Sequence, residues 1–153
     1  MRRILASWFG MGFVPRLVWK GEGGAGTVAG MGALVLALWA GQASVLWQLA
    51  MVIVIAGVGL WAVAPFTSEV GDPNWVTIDE AAGTVLAVTG LQGPAVVVAF
   101  LVFRAADITK RLPLVAKAER LPGAVGVMAD DLVAGLYALA AGWACQLLIQ
   151  QVV

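Results

Sequence analysis

The chain has 153 residues, of which 61% are hydrophobic and only 12% are charged, and its mean hydropathy is +0.94. Soluble domains usually carry about 25% charged residues, so this composition excludes a conventional soluble domain. The nine basic and nine acidic residues cancel, so the net charge gives no indication of nucleic-acid binding. The length predicts a single domain, residues 1–153.

The first twenty residues combine basic side chains with a short apolar run that glycine and proline interrupt. We expect residues 4–19 to lie at a membrane interface, with Trp8 and Trp19 at the level of the headgroups. A glycine-rich run, residues 21–26, then leads to Thr27. This run predicts either a flexible entry into a helix or a helix N-terminus at which Thr27 contacts a phosphate.

Three stretches without charged residues separate the charged clusters: residues 23–68, 81–103 and 132–153. A helix needs about 20 apolar residues to cross the hydrocarbon core of a bilayer. The first stretch therefore predicts two crossings, near 27–45 and 48–65. The last stretch is long enough for one crossing.

The middle stretch contains Gly90 and Gly93, and a proline follows the second of them. These are strong turn signals, so we predict two half-length helices, 81–89 and 95–107, that enter and leave on one side. A single kinked crossing is the alternative. With a broken pair, all charged clusters share one face, which the Arg and Lys residues place in the cytoplasm.

Two acidic pairs stand where apolar helices are expected to begin: Asp79 with Glu80, and Asp130 with Asp131. Helix capping is one explanation, because acidic residues are favourable in a first turn. Two such pairs on one face would also repel each other unless a cation neutralises them. Mg²⁺ prefers carboxylate oxygens together with substrate phosphates, so the four carboxylates predict a metal site.

A third group, Arg104, Asp107 and Lys110, has a spacing of three that places its members on one helix face. A surface ion pair is one explanation. The other is a phosphate clamp, because guanidinium binds phosphate bidentately and lysine acts as a point charge. The chain has no histidine, which excludes Ser-His-Asp hydrolases and histidine nucleophiles. Cys145 has no cation after it to activate a thiolate, and no Asp-x-Asp pair occurs, so metal-assisted chemistry on carboxylates remains.

These groups lie in blocks that resemble the phosphatidylglycerophosphatase A family, in the family's order. The blocks are Phe9 to Gly12 with Pro15, Gly26 with Thr27, Val76 to Gly83, Phe103 to Lys110, and Gly126 to Gly135. The resemblance implies a Mg²⁺-dependent phosphoric monoester hydrolase of the bacterial inner membrane. Its substrate would be phosphatidylglycerophosphate, which it converts to phosphatidylglycerol and phosphate in phospholipid biosynthesis.

The resemblance also implies an all-α fold, a compact membrane-embedded bundle of about six helices with one central buried helix. One block departs from the family pattern: its Pro-Gly-Thr-x-Gly-Ser is here Ala25 to Gly30, without the proline and the serine. The reaction type is therefore better supported than the exact substrate.

We hypothesise three roles for the site residues. The metal ligands are Asp79, Glu80, Asp130 and Asp131; the catalytic residues are Asp107, Asp130 and Asp131; and the phosphate-binding residues are Arg104, Lys110 and Thr27. Direct attack by water and a phosphorylated carboxylate both remain open. The oligomeric state, including a homo-oligomer, also remains open.

Two other functions compete with this one. The chain would be a small membrane transporter or ion-binding subunit if its acids carried a cation, because acids inside membrane helices mark ion pathways. Their expected position at helix starts and in loops favours the enzyme. A family relative that acts on another phospholipid phosphate is the third alternative.

Overall fold

A computed structural model describes residues 1–18, 23–67 and 73–152, and Trp19 and residues 21–22 of the glycine-rich run lie outside these ranges. Within them the chain is all-α, as predicted, with eight α-helices and one 3-10 turn, Met11–Phe13. The helices are α1 Arg2–Ala6, α2 Val14–Val18, α3 Ala25–Ala43, α4 Val45–Val63, α5 Ile78–Ala87, α6 Pro94–Thr109, α7 Pro113–Ala118 and α8 Gly123–Val152.

Three of these helices, α3, α4 and α8, are long and apolar enough to cross a membrane. The helices predicted near 27–45 and 48–65 are confirmed as α3 and α4, which pack against each other with Ser44 between them. The chain is therefore a membrane-associated helical bundle.

The middle stretch is broken, as the turn signals predict. Gly90 and Gly93 both have a positive φ, +72° and +55°, which costs glycine little, and Pro94 begins α6. The ten residues of α5 and the sixteen of α6 are two separate helices. At 1.5 Å per residue they are about 15 Å and 24 Å long, so α5 is too short to cross a bilayer.

The turn between α5 and α6 is held by amide side chains from other helices. Gln48 of α4 is buried; its Nε2 donates to the carbonyl of Ala37 at 2.9 Å and its Oε1 accepts from the N–H of Gly90 at 2.9 Å. The N–H of Gln92 donates to Oε1 of Gln146 on α8 at 2.7 Å. Backbone groups freed by the break thus find protein partners, which non-helical backbone at membrane depth requires.

The central helix implied by the family resemblance is α5. Eight of its ten residues are buried, and it packs against α3, α4, α6 and α8. Small residues predominate along it, so the surrounding helices approach its backbone closely.

The closest approach is between α5 and α8, at two glycines. A Cβ on Gly83 would lie 2.7 Å from the carbonyl oxygen of Asp131, and a Cβ on Gly135 would lie 2.7 Å from that of Gly83. Asp79 precedes Gly83 by one turn, as Asp131 precedes Gly135. The contact therefore sets the two acidic residues at the same level of the bundle.

The start of α8 differs from the expectation. The helix begins at Gly123, so Asp130 and Asp131 lie two turns inside it and not at its start. Residues 123–129 before them are helical, and Gly126 packs directly against the carbonyl of Leu121, where a side chain would not fit. The inference that these acids lie outside apolar helices was therefore wrong.

The N-terminal segment differs from the prediction in the position of Trp8. Trp8 is only 5% exposed and belongs to the hydrophobic core, so its expected position among the headgroups was wrong. The segment docks beside α5: the N–H of Thr77 donates to the carbonyl of Ala6 at 2.9 Å, and Gly12 packs against the carbonyl of Trp75. Trp8 lies between these two contacts in the sequence and is therefore buried against the bundle.

Gly135→Ala should destabilise the bundle by about 1–3 kcal/mol, because its new methyl group meets backbone that cannot rotate away. Thermal unfolding in detergent measures the effect. Gly57→Ala is the matched control, since a Cβ there meets nothing within 4 Å and the residue is exposed. An equal Tm for the two variants would contradict the close α5–α8 contact.

Candidate active site

A polar pocket of about 360 Å³ opens where α3 and α5 begin, where α6 ends, and two turns inside α8. The sequence predicted eight site residues, and the structure places seven of them in the lining of this pocket. These are Asp79, Glu80, Arg104, Asp107, Lys110, Asp130 and Asp131. The eighth, Thr27, contacts Arg104 from α3. Residues from distant parts of the chain thus meet at one end of the bundle.

Three carboxylates form the deepest part of the pocket. Asp79, Glu80 and Asp131 each offer one oxygen, and these oxygens lie within 4.8 Å of one another. Glu80 Oε2 and Asp131 Oδ2 are buried and accept no hydrogen bond from the part of the chain that the structure describes. Converging carboxylate oxygens with unused acceptor capacity are a donor set suited to a hard divalent cation.

The environment of Glu80 is unfavourable for an isolated negative charge. Burial, followed by the charge of Asp131, raises the pKa of Glu80 to about 8. Its carboxylate lies directly against Gly26 of α3, at the end of the glycine-rich run. A cation among the three carboxylates would compensate this charge.

Arg104, in the last turns of α6, lines the same pocket as the carboxylates. Its Nη1 donates to Oδ2 of Asp107 at 2.6 Å, and its Nη2 donates to Oγ1 of Thr27 at 3.4 Å. Its Nε is buried and has no hydrogen-bond partner among the described residues. Asp107 therefore orients a guanidinium that still has donor capacity for an anion.

Lys110 ends α6 in the left-handed region, with φ +49°. Its Nζ donates to Oδ2 of Asp130 at 2.6 Å and lies 3.0 Å from Oε1 of Glu119. Burial by itself would lower the pKa of Lys110, but the hydrogen bonds and charges of these two carboxylates outweigh it and raise the pKa above its ordinary value. The ammonium group is thus held in place and kept charged.

Asp130 was expected to be a metal ligand, but it lies outside the carboxylate cluster. The three-carboxylate cluster does not include it, because its side chain points to Lys110. Neighbouring residues on a helix are separated by about 100° around the axis, so Asp130 and Asp131 cannot face the same partner. Asp130 therefore pairs with the ammonium group of Lys110, and Asp131 belongs to the carboxylate cluster.

Two residues that shape the site were not singled out in the sequence. Glu119 reaches Lys110 across the short helix α7, and no helical periodicity links positions nine residues apart on either side of a turn. Gly26 entered the sequence analysis as part of the glycine-rich run and of a family block, without a contact to Glu80 being predicted. Its contact with Glu80 depends on the packing of α3 against α5, which a local pattern does not reveal.

Comparison with known proteins identifies the family of the chain. The model of the family described as phosphatidylglycerophosphatase A matches residues 4–146. A Bacteroides thetaiotaomicron protein, provisionally named a phosphatidylinositol-3-phosphatase, is 33% identical over 141 residues, which cover 88% of this chain and 86% of that protein. No solved structure matches the chain.

Gly26→Ala should reduce phosphate release from a lipid phosphomonoester at least tenfold while the Tm changes little. The added methyl group meets the far end of the Glu80 side chain, which can move, so the carboxylate is displaced and the fold is kept. Gly57→Ala is the control, because a Cβ at that exposed position of α4 meets nothing within 4 Å and Gly57 does not line the pocket. Full activity of Gly26→Ala would show that the position of Glu80 is unimportant.

Proposed function

Because the chain belongs to the phosphatidylglycerophosphatase A family, we propose that it hydrolyses phosphatidylglycerophosphate to phosphatidylglycerol and phosphate. Family membership and the phosphatase-named relative make it a phosphoric monoester hydrolase, which sets aside the transporter alternative. The observation that carries the proposal is a single pocket in which three carboxylates lie beside Arg104 and Lys110. This is an arrangement for a phosphate together with a cation.

The metal site in this proposal consists of Asp79, Glu80 and Asp131. Their close oxygens and the unused acceptors of Glu80 and Asp131 fit Mg²⁺. When bound, Mg²⁺ would supply positive charge to the phosphate oxygens as negative charge develops on them. Asp130 takes a different role from the one first hypothesised, because it holds the ammonium group of Lys110.

Binding of the phosphate falls to Arg104, Lys110 and Thr27. Arg104 is oriented by Asp107 and presents its remaining donors to the phosphate oxygens. Lys110, anchored by Asp130 and Glu119, supplies a second positive charge at the mouth of the pocket. These groups are positioned before the substrate arrives, which reduces the cost of reorganisation during the reaction.

Hydrolysis breaks the bond between phosphorus and the oxygen of the headgroup alcohol, water supplies the new oxygen, and the proton that the water loses is passed on to the leaving oxygen, which departs as the alcohol. Asp107 is our choice for the group that accepts the proton of this water. It lines the pocket between the guanidinium of Arg104 and the carboxylate of Asp131, with which it interacts. One of its oxygens holds Arg104, so the other can receive the proton.

The proposed setting is the bacterial inner membrane, with α3, α4 and α8 crossing it, the pocket facing the cytoplasm, and residues 1–153 forming one domain. The basic N-terminus supports this orientation, since it lies at the pocket end of the bundle. The guanidinium of Arg2 lies 4.4 Å from the ring centroid of Trp61, near the end of α4, and that of Arg3 lies 5.1 Å from the ring centroid of Trp75. Basic residues mark the cytoplasmic side of membrane proteins.

Another phospholipid monoester is the second candidate substrate. The relative's name specifies a phosphatidylinositol 3-phosphate, and the glycine-rich segment of this chain lacks the family's proline and serine. Both lipids present a phosphomonoester on a headgroup alcohol, so the carboxylates and the two cations serve either one. Parallel assays on the two lipids distinguish the candidates by their kcat/KM values.

Purified protein should release phosphate from phosphatidylglycerophosphate with Mg²⁺ and not with EDTA, and Asp131→Asn should reduce the rate at least a hundredfold. Asn has nearly the same shape as Asp but lacks its charge, so metal binding should weaken in parallel. Mn²⁺ binding followed by electron paramagnetic resonance tests this independently of activity. Activity in EDTA, or unchanged Mn²⁺ affinity of the variant, would reject the metal site.

Arg104→Gln should lower kcat/KM by about a hundredfold. The reason is that hydrogen bonds from a charged, buried guanidinium to a phosphate stabilise the transition state by several kcal/mol. The matched control is Arg120→Gln, because Arg120 is exposed and does not line the pocket. Steady-state kinetics with Mg²⁺ present measure both variants. Equal values would show that Arg104 does not bind the substrate.

A further inference from the structure

A seam runs between α3 and α6, the two helices that flank α5 on the pocket side. α3 packs on α4 and α5, and α6 packs on α5 and α8. Side chains bridge the seam: Arg104 Nη2 donates to Thr27 Oγ1 at 3.4 Å, and the ring of Phe100 lies against Gly30. The seam starts at the catalytic pocket, because Arg104 lines both.

The floor of the seam carries an unused polar group. Thr84 of α5 is fully buried, and its Oγ1 has no hydrogen-bond partner among the described residues. A Cβ on Gly30 would lie 3.1 Å from this oxygen and 3.4 Å from Cε2 of Phe100. Thr84 follows Glu80 by one turn, which is about 6 Å along the axis. A buried hydroxyl usually has a partner, so this one indicates a polar ligand at this depth.

The outer rim of the seam is apolar. Val97, Leu101 and Ile108 lie on one face of α6 and are 58%, 61% and 69% exposed. Ile108 also lines the catalytic pocket, so this stripe continues from the middle of the bundle to the charged residues. An apolar stripe beside a polar floor matches a phospholipid, which has acyl chains next to a polar headgroup.

We propose that the seam between α3 and α6 is where the substrate lipid enters from the bilayer and where it is held. The phosphomonoester reaches Arg104, an oxygen of the polar linker accepts a hydrogen bond from Thr84, and an acyl chain lies along Val97 and Leu101. This inference rests on the proposed function. It explains how a lipid reaches buried carboxylates, since its acyl chains need not leave the apolar phase.

The test compares two substrates with the same headgroup: phosphatidylglycerophosphate in nanodiscs and its water-soluble deacylated form. Gly30→Leu fills the seam and should lower kcat/KM for the lipid at least tenfold, but for the deacylated form less than threefold. Gly57→Leu is the control at an open position of α4 and should change neither value. Equal losses on both substrates, or no loss on the lipid, would overturn the proposal.

Two further variants avoid crowding the buried side of the seam. Leu101→Trp narrows it from the exposed side and should give the same preference for the deacylated substrate, whereas Leu148→Trp, at a position 64% exposed on α8, should not. Thr84→Val removes the unpartnered hydroxyl and should raise KM for the lipid three- to tenfold without lowering the Tm. Unchanged KM would exclude the hydrogen bond, and equal behaviour of the two Trp variants would exclude the route.

The two proposals fail in different ways. If the wild type releases phosphate from neither substrate, the proposed function is rejected, and the entry route is rejected with it. If the wild type hydrolyses both and the seam variants do not separate them, only the entry route is rejected.

Discussion

The contact between the backbones of α5 and α8 is the constraint on which the site depends. Gly83 and Gly135 allow this approach, and no larger side chain would fit between the helices. Because the two helices run in the same direction from the pocket, the residues one turn earlier, Asp79 and Asp131, are brought together as well. The carboxylate cluster is therefore built on regular helices, which hold side chains more rigidly than loops do.

The charges in the pocket do not balance among themselves. Among the residues that the structure describes, its lining includes the carboxylates of Asp79, Glu80, Asp107, Asp130 and Asp131 and two cationic groups, Arg104 and Lys110. Both cations are already paired with carboxylates. An incoming phosphate adds further negative charge, which a low-dielectric site tolerates only with compensation. Electrostatics therefore favour a metal cation over general acid–base chemistry alone.

Hydrophobicity and glycine placement predicted most of the fold. The α3–α4 hairpin follows from the length of its apolar stretch, and the division between α5 and α6 follows from Gly90 and Gly93, whose backbone is left-handed. The start of α8 was missed because glycines that permit close packing within a helix look the same as glycines in a loop. The distinction depends on close packing that composition does not reveal, such as that of Gly126 against the carbonyl of Leu121 five residues earlier.

The membership of the pocket was predictable because its charged residues are rare in an apolar chain, but their pairing was not. Asp130 and Asp131 are adjacent in the sequence and face different partners, Lys110 and the carboxylate cluster. Which of the two turns inward depends on the rotation of α8 about its axis. The crossing with α5 determines that rotation, and the sequence pattern alone does not contain it.

The amide clamp on the α5–α6 turn has a consequence for biogenesis. Gln48 belongs to a hairpin synthesised before the turn, and Gln146 belongs to a helix synthesised after it. A half-length helix such as α5 has no stable place in a bilayer until both amide side chains can accept hydrogen bonds from the N–H groups of Gly90 and Gln92 in the turn that follows it. We therefore expect α5 and its turn to settle only when both the α3–α4 hairpin and α8 are in place. Chains truncated before α8 would reach the membrane without a formed catalytic centre.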